Sequence, residues 1–485
     1  MNIQLSHSIT IIEPPESLTR EIRGIFTIEN PVWLGNDRMG HWNGRTNRWL
    51  HYYEICGNTV TIPRGALGLI RWLCKALHIP CEVVDKRRAL PPVDFTLNGM
   101  LKGYQEQAVR NTVSHDFTVL QSPTGSGKTV MALSVIAERK QPALIIVHGK
   151  ELLNQWIDRI VAFLDIPRDE IGVIGGGKKR LGEKITVGII NSIYSIARNI
   201  RQHFGHIIVD ECHRTPSRTF TSAVSAFDSK YMLGLSATPY RRDGLTKLIG
   251  WYMGRKVEVK QANLTEQDIV FNIEVITRET HFTSWCDPSE EYSQMLSELT
   301  GDEDRNRLIV NDVAKEASNG GGVCLVLSDR KSHCEAISSM LSDTGVAADV
   351  LTGDTRDNER EAIVGRINSG NVKVLVATGQ LIGEGFDCRG LSTLFLATPI
   401  KFSGRLIQYL GRILRPAPGK DTARVYDFVD VNIGVLRASA NQRQRVYQLY
   451  QNYRGIYQAP EPPEVTIHAR PYSHHREVFQ NGGEK

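Results

Sequence analysis

The eight residues Ser122-Pro123-Thr124-Gly125-Ser126-Gly127-Lys128-Thr129 constrain the fold more than any other feature of the chain. They follow the apolar run Phe117-Thr118-Val119-Leu120 and precede a helical pattern of Val130, Met131, Leu133, Val135 and Ile136. In a strand–turn–helix context the glycines let the backbone curl, and its N–H groups face phosphate oxygens at the helix N-terminus. Lys128 then stands against the β- and γ-phosphates of a nucleotide, and Thr129 is placed to ligate Mg²⁺. The first position is Ser instead of Gly, a tolerated departure.

From Gly103 to about Phe428, short apolar runs alternate with longer amphipathic stretches. After Phe117–Leu120 come Ala143–Val147, Ile185–Ile190 and Ile207–Val209, and then Val323–Leu327, Val374–Ala377 and Leu394–Ala397. Uninterrupted apolar strands separated by helices describe a parallel sheet covered on both faces. Two such series predict two α/β domains, at 99–258 and 259–435, parted by the polar, acidic stretch from Lys260 to Asn306. Residues 1–98 alternate instead, as in Ile25–Ile28 and Thr59–Ile62, and carry an amphipathic helix from Ala66 to Leu77. They are expected to form a small α+β accessory domain, with Ala89-Leu90-Pro91-Pro92 as the linker out of it. Residues 436–485 are expected to form one helix, Leu436 to Tyr453, followed by a mobile tail.

With 485 residues, 41% of them hydrophobic and 23% charged, the chain has material for several cores, and fibrous or wholly disordered classes are excluded. No apolar run approaches the ~20 residues that span a bilayer. The first residues lack a basic segment followed by an apolar one, so neither a signal peptide nor a membrane partner is expected, and a cytoplasmic setting is. Fifty-eight Lys and Arg against 53 Asp and Glu give +5, compatible with a polyanion without identifying one. Eight cysteines without CxxC spacing suggest reduced thiols and no zinc site.

Asp210-Glu211-Cys212-His213 follows the run Ile207–Val209. One carboxylate at a strand end holds Mg²⁺, and its neighbour orients an attacking water. With the phosphate loop upstream, an ordered series of motifs now stands out. Gly103-Tyr104-Gln105 precedes the loop, and His148-Gly149-Lys150 and Asn191-Ser192 each follow a strand. Ser236-Ala237-Thr238, Leu327-Ser328-Asp329-Arg330, Leu351-Thr352-Gly353-Asp354, Ala377-Thr378-Gly379, Glu384-Gly385-Phe386-Asp387 and Gln408-Tyr409-Leu410-Gly411-Arg412-Ile413-Leu414-Arg415 complete it. The series resembles motifs Q, I, Ia, Ib, II (in a DExH form) and III to VI of the superfamily 2 helicases and translocases, and covers about 103–430.

That resemblance implies two tandem RecA-like parallel-sheet domains that use ATP and Mg²⁺ in the cleft between them. It makes Lys128, Asp210, Glu211 and His213 catalytic and puts Thr129 and Asp210 on the metal. Gln105 is expected to read adenine, and Gly385, Asp387 and Gln408 join the phosphate loop in holding nucleotide. Arg412 and Arg415, three apart at the expected start of a helix, share a face and cross the cleft as arginine fingers.

The resemblance also lays a nucleic-acid strand across both domains. It nominates His148, Gly149, Asn191, Ser192, Ser328, Arg330, Thr352, Gly353, Thr378 and Gly379, residue types suited to phosphate contacts. Pro239-Tyr240-Arg241-Arg242-Asp243 resembles a segment of XPB-like DNA helicases, with Arg242 either tracking duplex or pairing with Asp243. The turn Gly175-Gly176-Gly177-Lys178-Lys179-Arg180 reads as a solvated basic hairpin more readily than as a phosphate contact. Between Trp33 and Tyr53 gather Trp33, Arg38, His41, Trp42, Arg45, Arg48, Trp49, Tyr52 and Tyr53. Aromatics stack on bases and arginines neutralise phosphates, so Trp42 and Arg45 are candidate DNA contacts; a small domain also uses Trp and Tyr simply as core. This segment resembles, more loosely, the N-terminal domains of UvsW-type fork helicases.

The expected function is therefore an ATP-dependent DNA helicase or branch-migration translocase, acting 3′ to 5′ on single-stranded, forked or branched DNA. It is expected to work as a monomer in a bacterial or phage-infected cell, beside replication and recombination proteins. An RNA helicase, the motor of a restriction or defence system, and an ATP-gated clamp remain the alternatives.

Overall fold

The computed structural model describes residues 1–123, 126–214, 218–237, 244–259, 272–288, 290–319, 322–379, 388, 390–400, 403–414, 420 and 422–451. Each of the seven apolar runs forms a strand, to within one residue at its end. The first lobe orders its strands Lys178–Arg180, Gly172–Gly175, Ile185–Ile189, Ala143–Val147, His206–Val209, Tyr231–Ser236, Phe117–Gln121 and Arg255–Glu258. Every neighbouring pair is parallel except the edge hairpin of the first two. Ala143–Val147 is buried at all five positions, as a central strand covered by helices on both faces must be.

The second lobe is a six-stranded, wholly parallel sheet in the order Asn272–Thr280, Thr422–Asp430, Leu391–Leu396, Val323–Ser328, Val374–Thr378 and Ala348–Leu351. These two sheets are the RecA-like pair that the motif series implies. The stretch expected to part the lobes contributes to the second one. Asn272–Thr280 pairs with Thr422–Asp430 along nine residues, and Tyr292–Gly301 is a helix. At the edge of the sheet the strand needs only an alternating pattern, which sequence reading passed over.

The helix expected to open a separate C-terminal segment runs Gly434–Gln451 and is built into the second lobe. Buried Arg443 donates to Asp427 at 2.8 and 3.0 Å, and the Tyr447 hydroxyl donates to the same carboxylate at 2.9 Å. The expected tail beyond it lies outside the described residues. Among the described residues no helix is long and apolar enough to cross a membrane.

The N-terminal part is α+β, with a five-stranded mixed sheet ordered Glu54–Cys56, Thr59–Pro63, Ser8–Ile12, Asn2–Leu5 and Glu82–Asp85. Its helix Leu67–Ala76 falls where the pattern placed it. Its core is continuous with that of the first lobe: Phe26 meets Trp251 at 4.7 Å and Tyr52 meets it at 5.7 Å. Gly65 lies so close to the backbone of Gly250, Trp251 and Gly254 that a Cβ there would fall 2.6 Å from the Gly254 nitrogen. Arg64, 2% exposed, donates to the Ser229 carbonyl at 3.0 Å and lies 5.0 Å over the Phe117 ring. Arg87 and Arg88 pair with Asp116 and Asp228 at 2.8 and 3.0 Å. These anchors sit just before strands Phe117–Gln121 and Tyr231–Ser236 begin, at the end of the sheet opposite the phosphate loop.

This unit is therefore fused to the first lobe, and deleting residues 1–91 would uncover Trp251 and Phe117. Arg64→Ala, which strands a buried carbonyl and removes a charged hydrogen bond, is expected to lower stability by about 2–3 kcal/mol. Chemical denaturation of the full chain measures it; an unchanged midpoint would show the seam to be a passive contact.

Candidate nucleotide and nucleic-acid sites

The phosphate loop leaves the strand Phe117–Gln121 and enters the helix Lys128–Arg139. Gly127 precedes that helix in the left-handed region (φ +82°), and a Cβ there would fall 2.5 Å from the Gln105 side-chain nitrogen. Glycine is needed twice over, for conformation and for space. Ser122 and Ser126 hydroxyls meet at 2.5 Å, and Ser126 also donates to the Pro123 carbonyl at 2.6 Å. The Lys128 ammonium donates to the Ser122 and Pro123 carbonyls at 2.9 and 3.0 Å, which folds its charge over the loop. Thr124 and Gly125 lie outside the described residues.

Gln105 is 8% exposed, and both ends of its amide are engaged. Its Nε2 donates to the Ser126 carbonyl at 2.9 Å, and its Oε1 accepts from the Lys102 amide at 2.9 Å. Tyr104 donates to the same Ser126 carbonyl at 3.0 Å. In this arrangement Gln105 braces the phosphate loop, and reading adenine requires it to give up those partners.

Asp210 and Glu211 emerge from the strand His206–Val209, two strands from the phosphate loop. Burial pushes the Asp210 carboxyl up to about 6, with the Glu211 carboxylate adding to it. The Trp156 indole N–H, donating at 2.8 Å, and the Lys128 charge pull the other way. Glu211 has φ +49°, a left-handed conformation that costs a non-glycine residue about 1–3 kcal/mol and concentrates at functional positions. His213 Nδ1 lies 3.2 Å from Glu211 Oε2 and 3.1 Å from the Ser236 hydroxyl. The Ser236 carbonyl in turn accepts from the Ser122 amide at 3.1 Å. The strand tips carrying the loop, the acidic pair and Ser236-Ala237 thus form one connected assembly.

This donor set suits Mg²⁺ brought in by a nucleotide. Among the described residues no group of three or more His, Cys, Asp or Glu forms a cage. Magnesium held by one or two protein oxygens plus substrate phosphates needs none. A buried carboxylate disfavoured as an anion, Asp210, feels the charge of Lys128, at the start of the helix that carries Thr129, and a divalent cation would relieve that cost.

In the second lobe Gln408 and Arg412 lie four apart on the helix Ser403–Ile413, both half-buried and on one face. Arg412 occupies the last turn of this helix and not its start, and Arg415 lies outside the described residues. Leu406, Leu410 and Ile413 bury the opposite side, and the Tyr409 hydroxyl donates to the Gly379 carbonyl at 2.7 Å. Gly385, Asp387 and Arg242 also lie outside the described residues.

The track residues divide by exposure. Asn191 and Gly353 are exposed; His148, Gly149, Arg330 and Thr378 are half-buried at strand ends, and Ser192 is half-buried in the short helix Ile190–Tyr194. Ser328 is 1% exposed, and its hydroxyl is shared between the Arg330 amide at 3.1 Å and His333 Nδ1 at 2.9 Å. Thr352 and Gly379 are likewise buried. Arg330 donates to the Ser293 hydroxyl and carbonyl at 2.8 and 3.0 Å, tying it to the helix Tyr292–Gly301. Motif position alone assigned these residues, and only the fold reveals which face inward.

The N-terminal aromatics divide in the same way. Trp42 is 90% exposed and Arg45 is exposed beside it, whereas Tyr52 packs on Trp251 and Trp33 lies under the Arg48 guanidinium at 4.6 Å. Asn36 to Asn43 at 3.1 Å, Asn43 to the Trp33 carbonyl at 3.2 Å and Asn30 to the Asn47 carbonyl at 2.8 Å brace the loop that presents Trp42. The basic glycine turn forms the first lobe's edge hairpin. With the helix Lys150–Leu164 it borders a hollow of about 610 Å³, lined by Lys150, Arg168, Lys178, Lys179 and Arg180 over Leu153 and Ile157.

A family model for the res subunit of type III restriction enzymes matches residues 98–241, and one for the helicase conserved C-terminal domain matches 306–417. Together they span more than half the chain. The probable helicase D10 of Escherichia phage T5 is 27% identical, over 78% of this chain and 81% of its own. The DNA 3′-5′ translocase XPB2 of Sulfurisphaera tokodaii is 27% identical, over 65% of this chain and 78% of its own. The ATP-dependent DNA helicase uvsW of Enterobacteria phage T4 is 24% identical, over 90% of this chain and 92% of its own. Among solved structures, S. cerevisiae Dbp5 bound to RNA and ADP BeF3 has a TM-score of 0.51 at 16% identity, covering 72% of this chain and 87% of its own.

Proposed function

The chain belongs to the superfamily 2 helicases, and from that premise we propose that it is an ATP-dependent DNA helicase remodelling forked or branched DNA, moving 3′ to 5′. The observation that carries the ATP-driven part is the joined assembly of Lys128, Asp210, Glu211, His213 and Ser236 at the strand ends of one lobe, with Arg412 on the other. Lys128 neutralises the β- and γ-phosphates, and Glu211, turned by its left-handed backbone, orients the attacking water. Arg412 meets the charge that develops on the transferring phosphoryl group. Thr129 and Asp210 would hold Mg²⁺ brought in by the nucleotide, and the ion would supply further neutralisation of that charge. Because Arg412 belongs to the second lobe, hydrolysis is tied to the approach of the two lobes, and that movement is the mechanical step.

The choice of DNA is supported by what the names of the XPB2 and uvsW relatives say of those proteins. The reading of branched substrates is supported by the braced, exposed Trp42 and Arg45, which offer a stacking surface worth ~1–3 kcal/mol per base beside a phosphate contact. The site of action proposed with it is the cytoplasm of a bacterial or phage-infected cell.

The test is displacement of a labelled strand from forked DNA. Release with ATP and none with a non-hydrolysable analogue is expected; clamping without release in both would leave an ATP-gated binder. Trp42→Ala combined with Arg45→Ala is expected to lower fork unwinding about 10-fold while leaving ATPase on single strands near wild type. Equal losses in both assays would place this patch on the single-strand track. Binding to single strands should weaken with salt, at a log–log slope of about −0.7 per phosphate contact.

A further inference from the structure

The helix Lys150–Leu164 takes part in three places at once. It starts at Gly149, directly after the strand Ala143–Val147, at the candidate track residues His148 and Gly149. In its first turn Glu151 forms an ion pair with Arg360, on the helix Asp357–Asn368 of the second lobe. Five residues on, roughly 7.5 Å along the axis, Trp156 donates its indole N–H to Asp210 Oδ2 at 2.8 Å. Helical side chains lean toward the N-terminus, so Trp156 points back up to the strand tips from below them. The Asp210 amide also donates to the Ile146 carbonyl of the strand that feeds this helix, at 3.0 Å. Trp156 is 2% exposed, between Leu153 and Ile160 on the buried face.

Tryptophan is a costly choice if only bulk is required there, because a buried indole N–H must find an acceptor. Here the acceptor is one oxygen of the carboxylate assigned to the metal. Its other oxygen accepts the Glu211 amide at 2.9 Å, so the carboxylate's orientation is fixed from two sides.

We infer that Trp156 is a positioning residue for ATP hydrolysis, holding the Asp210 carboxylate in its metal-binding orientation and passing to it any shift of the helix that nucleic acid or the second lobe imposes at Gly149–Glu151. This rests on the ATPase reading above. A partner that orients a ligand carboxylate typically contributes 10–100-fold in metal affinity or activity. The signal was present in the sequence only as a lone tryptophan on an amphipathic helix, 54 positions from its acceptor.

The test replaces Trp156 in the full chain with 3-benzothienylalanine, which keeps the ring's shape and loses only the N–H. Trp156→Phe serves as a second variant, and a thermal melt checks that each folds. Manganese binding in the presence of ADP, followed by electron paramagnetic resonance, is expected to weaken about 10-fold. The stimulation of ATPase by single-stranded DNA is expected to fall several-fold more than the unstimulated rate. Unchanged manganese affinity and an unchanged stimulation ratio in the folded isostere would overturn the inference. If the unmodified protein neither bound manganese with ADP nor hydrolysed ATP, the ATPase reading itself would fail, and the two failures are distinguishable.

Discussion

Arg412→Ala is expected to leave nucleotide bound and nearly to stop its hydrolysis, lowering kcat by about 10³–10⁵-fold, the range that arginine fingers contribute in related enzymes. The position explains the size. Arg412 sits in the last turn of a helix locked to its lobe by Leu406, Leu410 and Ile413 and by the Tyr409 bond to Gly379. Lys420 donates to the Ile413 carbonyl and so caps the same helix end. The guanidinium is thus carried by a rigid element, and a finger so held is expected to act on the transition state far more than on the ground state. ATP affinity measured beside turnover decides the matter. A parallel loss of both would make Arg412 a binding residue, and full activity would remove the second lobe from the site.

Lys128→Ala is expected to lower turnover by at least about 10²–10³-fold, since it removes the ammonium folded over the phosphate loop. Its partners are loop carbonyls, so the helix Lys128–Arg139 should remain and the melting temperature should barely move. Nucleic-acid affinity should survive, because the track candidates are carried by other strand ends. Stimulated ATPase near the wild-type rate would refute the loop's assignment, and loss of nucleic-acid binding would show that the two sites are not separable.

Legibility in the sequence followed the physics of each element. Central strands such as Ala143–Val147 are apolar at every position because both faces are covered, and they stand out. Asn272–Thr280 lies at a sheet edge, where alternation suffices, and it passed for the break between lobes. The phosphate loop and the acidic pair were legible because their chemistry is local in sequence. Trp156, Arg64 and the pairing of Gln105 with Ser126 were not, since each depends on a partner 21 to 165 positions away. The burial of Ser328 and Thr352 was likewise illegible, because a motif position carries no record of exposure. The seam between the N-terminal part and the first lobe was illegible for a related reason. Its alternating strands reveal a sheet, but nothing local records that Phe26 and Tyr52 complete a core with Trp251.

The central claim is that ATP hydrolysis at the Lys128–Glu211 assembly is driven by DNA. ATPase measured on the full chain alone, then with single-stranded, forked and duplex DNA and with single-stranded RNA, tests it most directly. The account predicts a low rate alone, strong stimulation by single-stranded and forked DNA, and little by RNA of the same sequence. Stimulation by RNA in preference to DNA, or a rate indifferent to every nucleic acid, would contradict it.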